Sequence, residues 1–465
     1  MAEPVDVHQS RRGTRVAAGR IQRLRCGSLF YSGTLASHEG VFMLCRRLFA
    51  LSVALVLASG GLPTRAVADE AAAVASGWKQ WRGPTRDGFV EGAAWPESLS
   101  ADQLEQVWQV SDLGPSYSGP LLSDELVFIT ETRDEATEHV VAYDRVSGKK
   151  RWEASWDGAM TVPFFAASNG SWIRATPCLD EGRLYVAGMR DLLVCLDAAT
   201  GKELWKVDFM QAFESPLPAF GFVSSPLVIG EHVYVQAGSG FVKLNKTTGE
   251  IAWRTLDDAG GMNGSAFSSP FVATLNGVEQ ILVQGREALA GVDPADGTVL
   301  WKTPVEAFRG MNIVTPTVID GRVFTTSYGG GSFLFSVASG ETEKPVDLVW
   351  RNKVQGYMST PIIIDGHAYV HLRNQRFACI NLTTGEEAWI TKPFGKYWSM
   401  VAQGDRILAL DETGDLRLIQ ATPEAFTLLG EAKVTDLESW AHLAIDGDQI
   451  AIRDLDRITL WRWKQ

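Results

Sequence analysis

The feature that most constrains this chain is a short hairpin motif that occurs five times. In its clearest copy, a strand ending at Asp197 is followed by Thr200 and Gly201, and then by a second strand that contains Trp205. An aspartate or asparagine side chain caps such a turn, and glycine adopts the positive φ that ends it. The other copies run from Asp144 to Trp152, from Asn245 to Trp253, from Asp293 to Trp301 and from Asn381 to Trp389. Recurrence of one supersecondary unit predicts a repeat fold.

The spacing of the repeats indicates which repeat fold. The tryptophans that close successive units are 44, 53, 48, 48, 49 and 39 residues apart. Each unit also contains a Ser/Thr-Pro pair or a close variant of it, which precedes a strand, and four strands fit into each unit. A period of about 40 to 50 residues with four strands is typical of a β-propeller. These tryptophans are Trp108, Trp152, Trp205, Trp253, Trp301, Trp350 and Trp389.

The two ends of the repeat region are predicted to complete each other. The last unit has room for three strands only, whereas the segment from Glu105 to Ser111 reads as a fourth strand with no unit in front of it. Pairing these ends would close the ring and remove exposed strand edges. We therefore predict an all-β, eight-bladed β-propeller of four-stranded antiparallel blades over residues 105–465. The alternative is seven blades, if the weak units at 399–434 and 439–463 merge. Residues 69–104 would form an extension that packs outside the ring or across one face.

The first 68 residues differ from the rest. Arg46 and Arg47 precede an apolar run from Leu48 to Ser59, and small residues follow up to Ala68, a pattern typical of a secretory signal peptide. The run is shorter than the roughly 20 residues that span a bilayer. We predict a signal peptide at 43–68 with cleavage near Ala68, and a mis-annotated or disordered leader at 1–42. The mature chain would be periplasmic or secreted and would have no transmembrane segment.

The charge and the cysteine content argue against several classes of protein. Without residues 1–68, which hold nine arginines and three acids, 34 basic and 52 acidic side chains remain, a formal charge of −18. Such a chain is poorly suited to nucleic acid. Cys178, Cys195 and Cys379 are too few for a disulfide framework, and no cysteine stands at the predicted cleavage point to carry a lipid. We expect a monomer.

The motif Asp/Asn-x-x-Thr/Ser-Gly-x-x-x-Trp, preceded by a strand with a Tyr-Val pair, resembles the PQQ-type propeller repeat over about Trp108 to Trp463. That family includes the quinoprotein alcohol dehydrogenases and the outer-membrane-protein assembly lipoprotein BamB. The resemblance implies that the seven tryptophans are structural and lie between neighbouring blades, where burial of each is worth about 1.5 to 3 kcal/mol. It says little about function, because one fold supports several functions.

The resemblance to the dehydrogenases implies a PQQ pocket on the propeller axis, a Ca²⁺ with oxygen ligands and a base, with adjacent cysteines in many members. This chain has no adjacent cysteines, and no motif transfers the calcium ligands or the catalytic base. We therefore assign no catalytic residue and no metal ligand. No cofactor is firmly predicted, and PQQ is kept as the alternative.

Two sets of residues are candidates for binding. The first set begins the innermost strands and should line the axis: Tyr117, Arg174, Phe267, Asn312, Tyr357, Trp398, Trp440 and His442. The second set lies in long connections between blades, which emerge on one face and would form an aromatic collar: Trp156, Phe164, Phe165, Trp172, Phe213, Phe220 and Phe222. Long apolar loops are either buried as a lid or used for binding, and both alternatives stay open here.

The first hypothesis for function is a non-catalytic secreted propeller, similar to BamB, that binds protein partners in the cell envelope or assists envelope assembly. The alternatives are a PQQ-dependent oxidoreductase with an axial site, and a propeller that binds carbohydrate or another small ligand.

Overall fold

The computed structural model describes residues 77–464, except 259, 261–263, 265 and 341–343. Within these residues, 32 strands form eight four-stranded antiparallel sheets. The fold is therefore the predicted eight-bladed propeller. The predicted leader and signal peptide, residues 1–68, lie outside the described residues, as do residues 69–76 of the N-terminal extension.

The strands follow the chain from blade to blade. In the first half they are β1 Leu104–Val110, β2 Leu121–Leu122, β3 Leu126–Arg133, β4 Thr137–Asp144, β5 Lys150–Asp157, β6 Cys178–Asp180, β7 Arg183–Gly188, β8 Leu192–Asp197, β9 Glu203–Asp208, β10 Leu227–Ile229, β11 His232–Ala237, β12 Gly240–Asn245, β13 Ile251–Thr255, β14 Phe271–Leu275, β15 Val278–Gln284, β16 Ala288–Val292 and β17 Val299–Pro304. In the second half they are β18 Thr317–Ile319, β19 Arg322–Ser327, β20 Gly331–Val337, β21 Val346–Asn352, β22 Ile362–Ile364, β23 His367–His371, β24 Phe377–Asn381, β25 Glu387–Ile390, β26 Ser399–Gln403, β27 Arg406–Leu410, β28 Asp415–Gln420, β29 Thr427–Lys433, β30 Ala444–Asp446, β31 Gln449–Arg453 and β32 Ile458–Trp463. Blades 1 to 7 take β2–β5, β6–β9, β10–β13, β14–β17, β18–β21, β22–β25 and β26–β29 in turn, and blade 8 contains β30, β31, β32 and β1.

The ring closes through its two ends. Strand β1 pairs antiparallel with β32, from Leu104 opposite Trp463 to Val110 opposite Ile458. The N-terminal strand thus supplies the outer strand that the last unit lacks, which favours eight blades over seven.

The order of the strands defines two faces. In every blade the strands alternate in direction, so the connections between blades and the turns between the second and third strands lie on one face, here called the loop face. The turns between the third and fourth strands, which carry the Asp/Asn motif, lie on the opposite face, here called the turn face. Short helical segments in the loop-face connections are α1 Phe209–Phe213 and the 3-10 turns Phe164–Asn169 and Phe308–Gly310; a further 3-10 turn, Ala101–Gln103, precedes β1.

The repeated tryptophans join each blade to the next. Six of the seven donate the indole N–H to a backbone carbonyl in the motif turn, or its equivalent, of the following blade. These bonds are Trp108 to Arg145, Trp152 to Ala198, Trp205 to Lys246, Trp253 to Ala295, Trp350 to Leu382 and Trp389 to Thr422. Trp301 instead donates to Oε1 of Gln280 in its own blade, at 2.6 Å. The following blade, blade 5, replaces the motif turn by Ala338-Ser339-Gly340, which explains the exception.

The motif turn is built around the tryptophan of the preceding blade. Asp197 accepts hydrogen bonds from the backbone and the hydroxyl of Thr200. Gly201 has a φ of +74°, and a Cβ there would lie 2.5 Å from Cε3 of Trp152. At Gly340, in the irregular turn of blade 5, a Cβ would meet nothing within 4 Å. Glycine in the motif therefore serves both the turn and the contact with the tryptophan.

The N-terminal extension crosses the channel of the ring. Leu122 in blade 1 donates its backbone N–H to Trp78, and Leu179 in blade 2 donates to Lys79. Further along the extension, Val90 donates to Ala402 in blade 7. Residues 78–90, here called the plug, therefore span the inner strands of several blades rather than the outside of the ring.

Candidate functional site: the axial cavity

A cavity of about 1170 Å³ lies on the propeller axis, between the plug and the loop-face connections. Seven of the eight residues that the sequence suggested for the axis line it, namely Tyr117, Arg174, Phe267, Tyr357, Trp398, Trp440 and His442. The eighth, Asn312, is buried and is not part of the lining. Its side-chain N–H groups donate to the carbonyls of Arg286 and Val305, so it holds two connections in place.

The plug forms the floor of the cavity and is held by two buried arginines. Arg82 donates to the carbonyls of Thr360 and Pro361 in blade 6, at 2.9 and 3.0 Å. Arg86 donates to Ser225 and Pro226 in blade 3, at 3.2 and 2.8 Å. Both guanidinium groups are almost fully buried, and burial lowers the pKa of each to about 10. These bonds connect blades 3 and 6 through the plug and place Trp81 in the cavity lining.

A belt of hydroxyl groups surrounds the floor and explains the Ser/Thr-Pro pairs. In each link, a backbone N–H of one blade donates to the Ser or Thr hydroxyl of a neighbouring blade. The links are Gly119 to Thr176, Thr176 to Ser225, Ser225 to Ser269, Thr315 to Thr360, and Leu443 to Ser399. Four of these hydroxyl residues, Ser225, Ser269, Thr360 and Ser399, also line the cavity.

Aromatic rings form a rim above the belt, in two arcs. In the first arc each ring contacts the next, with centroids 4.1 to 6.1 Å apart. It runs Trp172, Tyr117, Trp440, Tyr397, Tyr357, Tyr328 and Phe308. The second arc has centroids 5.7 to 6.2 Å apart and runs Phe165, Phe220 and Phe267. Phe164 packs on Phe165 from outside the cavity lining and is not part of the rim. The rim therefore combines several residues of the predicted axial set with several of the predicted collar.

Basic side chains stand over five rings of the rim. The distances from the cation to the ring centroid range from 4.2 to 5.7 Å. The pairs are Arg174 with Tyr117, Arg286 with Phe267, Arg309 with Phe308, Arg373 with Tyr328, and Lys396 with Tyr397. Such cation–π contacts fix the orientation of long side chains. The result is an aromatic wall with positive charge at its edge.

The predicted collar residues differ widely in exposure. Phe164 and Phe165, in the 3-10 turn, are 91% and 53% exposed. Trp172, Phe213 and Phe220 are partly buried. Trp156 and Phe222 are buried, and Trp156 lies in strand β5 rather than in a connection. Another long connection between blades, residues 257–267, lies partly outside the described residues.

A second cavity of about 570 Å³ adjoins the first and shares Phe308, Tyr357 and Tyr397 with it. His371 lies in its lining and stacks on Trp398, with centroids 4.5 Å apart. Burial lowers the pKa of His371 to about 4 and that of His442 to about 3, so both are neutral at physiological pH. Neither histidine supplies a charge to the cavities.

Among the carboxyl groups that are buried on the loop face, Glu138 and Asp191 lie outside the cavity lining and form no ion pair in the described residues. Glu138 accepts hydrogen bonds from the indole of Trp156 and the backbone of Met189 in blade 2. Asp191 accepts from the backbone of Gly238 in blade 3. Burial raises the pKa of each carboxyl to about 7. Each therefore links one blade to a turn of the next.

In the part of the chain that the structure describes, no group of three or more His, Cys, Asp or Glu side chains is arranged to hold a metal ion. Cys178, Cys195 and Cys379 are buried free thiols, and burial raises their pKa values. None of the helices among the described residues has the length and hydrophobicity that a bilayer crossing requires.

Part of this site lies outside the two predicted sets of residues. Trp81 falls within the predicted N-terminal extension, and Arg286, Arg309, Tyr328 and Arg373 belong to neither set. Arg286, Tyr328 and Arg373 follow the second strand of their blades, where the repeat has no fixed motif. The one available signal was that turns between second and third strands share a face with the long connections.

Comparison with known proteins points to one family. A protein-family model described as "Outer membrane protein assembly factor BamB" matches residues 136–391, more than half of the chain. The BamB proteins of Moranella endobia and Yersinia pestis are 26% and 25% identical to this chain over 53% and 52% of its length. The chain spans 68% and 64% of those relatives, about two thirds of their length.

Solved structures share the fold. The crystal structure of BamB from Moraxella catarrhalis aligns with a TM-score of 0.55 at 17% identity, covering 78% of this chain and 98% of that one. A quinohemoprotein alcohol dehydrogenase from Comamonas testosteroni aligns with a TM-score of 0.58 at 13% identity, covering 83% of this chain and 80% of that one. At these identities the likeness concerns the fold alone.

Proposed function

The chain belongs to the family described as outer membrane protein assembly factor BamB, and on that premise we propose that it is a non-catalytic scaffold that binds protein partners in the cell envelope. The relatives carry the name of outer membrane assembly factors. The proposal extends that role to this chain, and with it a monomeric, periplasmic or secreted protein that is processed near Ala68.

One structural observation carries the proposal. Phe164 and Phe165 project from the loop face next to the mouth of the axial cavity, and they are 91% and 53% exposed. Phe165 contacts Phe220, while Phe164 contacts only Phe165 among the aromatic rings described. Large aromatic side chains are costly to expose and are enriched at the centre of protein interfaces. This pair therefore supports a partner-binding surface on the loop face.

A deletion and complementation experiment tests the proposal. We expect cells that lack the protein to carry less β-barrel protein in the outer membrane, as measured by quantitative proteomics of the envelope. The double variant Phe164→Ser and Phe165→Ser should fail to restore those levels, because it removes the exposed aromatic surface. Its thermal unfolding temperature should equal that of the wild type, since neither side chain is buried.

Val146 provides a matched control. It is 83% exposed but lies in a motif turn on the turn face. Val146→Ser should restore outer membrane protein levels as well as the wild type does. Full complementation by the double phenylalanine variant, or unchanged β-barrel levels in the deletion strain, would contradict the proposed function.

A further inference from the structure

The belt of hydroxyl groups around the cavity floor offers hydrogen-bond donors. Ser225, Ser269, Thr360 and Ser399 are buried and line the cavity, and within the described residues their hydroxyl oxygens only accept hydrogen bonds, from backbone N–H groups of neighbouring blades. A hydroxyl that accepts one bond keeps its own hydrogen to donate. Four donors therefore encircle the floor, and they suit a ligand rich in oxygen acceptors.

The charge of the lining has the opposite sign to that of the chain. The chain carries a formal net charge of −12. The two adjoining cavities are lined by five basic residues, Arg174, Arg286, Arg309, Arg373 and Lys396, and by two acidic ones, Glu287 and Glu306. A cleft with an excess of one sign attracts ligands of the other sign.

Two of these charged residues form ion pairs with residues that line neither cavity. Glu306 pairs with Arg351 at 2.7 Å, and Lys396 pairs with Glu412 at 3.0 Å. Arg174 has no carboxylate partner in the described residues: it donates to the carbonyl of Gly170 and stands over the ring of Tyr117. A guanidinium group in this setting forms strong paired hydrogen bonds with a carboxylate.

The aromatic walls and the size of the cavity restrict the class of ligand further. The aromatic rim presents rings from the connections of most blades. Tyr117 and Trp440 stack at an interplanar angle of 13°, and the other neighbouring rings of the first arc are tilted or perpendicular to each other. Such a wall suits the C–H faces of several puckered rings better than one flat ring system. The volume of about 1170 Å³ is above the usual range of about 300 to 1,000 Å³ for small-molecule pockets.

From these observations we propose that the axial cavity binds an acidic oligosaccharide, with sugar rings packed on the aromatic rim, carboxylates paired with Arg174 and ring hydroxyls accepting from the floor. This site goes beyond the proposed scaffold function and does not depend on it. Phe164, the most exposed residue of the scaffold surface, does not line the cavity.

Isothermal titration of the full mature chain tests the site with four probes. These are tetragalacturonic acid, the neutral galactose tetramer, inorganic phosphate, and PQQ with Ca²⁺ as a flat aromatic tricarboxylate. We expect tetragalacturonic acid to bind with a Kd below about 1 mM, which corresponds to about −4 kcal/mol. The neutral tetramer should bind at least tenfold more weakly, and affinity for the acid should fall as salt is raised, because salt screens the charges.

Two arginine variants sharpen the test. Arg174→Gln should weaken binding of the acidic tetramer at least tenfold. Arg322→Gln should leave it unchanged, because Arg322 is exposed at the start of β19 on the turn face. Equal binding of both tetramers, tighter binding of PQQ or phosphate, or an unchanged affinity in Arg174→Gln would each overturn the proposal. Phe164→Ser should keep the affinity of the wild type, which separates this site from the scaffold surface.

Discussion

At the scale of single residues, the buried carboxyl groups Glu138 and Asp191 respond to pH in a defined direction. Burial raises the pKa of each to about 7 in the folded chain, above the value of an exposed carboxyl. The folded state therefore holds protons that the unfolded chain has lost. Their contribution to stability is complete at acidic pH and is lost as pH rises through 7. His371 and His442 act in the opposite sense below about pH 6.5, because burial lowers their pKa values.

A comparison of variants isolates the carboxyl effect from that of the histidines. We expect the free energy of unfolding of the wild type, minus that of Glu138→Gln, to fall between pH 5 and 7 by up to about 1.4 kcal/mol per pH unit. Denaturant unfolding followed by circular dichroism at several pH values measures this difference. Glu135→Gln, at an exposed turn residue, is the control and should show no such trend. A constant difference for Glu138→Gln would contradict the assignment.

At the scale of the element, the motif turn and the tryptophan of the preceding blade form one unit. Gly201 and Gly182 have similar φ values, +74° and +76°, but a Cβ at Gly201 would meet Trp152 at 2.5 Å, whereas a Cβ at Gly182 would meet nothing within 4 Å. The two glycines therefore separate the backbone requirement from the packing requirement.

We expect both alanine variants to be less stable than the wild type, since positive φ costs an L-residue roughly 1 to 2 kcal/mol. Gly201→Ala should lose about 1 to 3 kcal/mol more than Gly182→Ala, because its Cβ overpacks the contact with Trp152. Chemical denaturation of the two variants measures the difference. Equal losses would show that the tryptophan contact does not constrain the turn.

At the scale of the whole molecule, the repeat predicted the architecture and left the binding surfaces open. Copies of one turn, with a tryptophan at a fixed distance, repeat their packing in every blade, so strand count and closure by β1 followed from the sequence. The exception at Trp301 arises because blade 5 lacks the motif turn. The sequence of a single repeat does not show whether its tryptophan has a turn to contact in the next blade. The path of the plug was not predictable, since Arg82 and Arg86 bind backbone carbonyls, which leave no trace in side-chain patterns.

At the candidate site, too, only part of the aromatic rim follows from the repeat. The residues before the Ser/Thr-Pro pairs, such as Tyr117 and Trp440, were placed near the axis by their position in the repeat. Arg286 and Tyr328 reach the cavities from turns that have no fixed sequence. Asn312 occupies an equivalent position in the repeat but donates from its amide to the backbone carbonyls of Arg286 and Val305.

The central claim, that the loop face binds protein partners in the envelope, is tested most directly by site-specific photo-crosslinking in living cells. A photoreactive amino acid at position 164 should crosslink to proteins of the outer membrane assembly machinery, identified by mass spectrometry. The same group at position 146, which is also largely exposed but lies on the turn face, should give no such product. Crosslinks of equal yield at both positions, or none at position 164, would contradict the account.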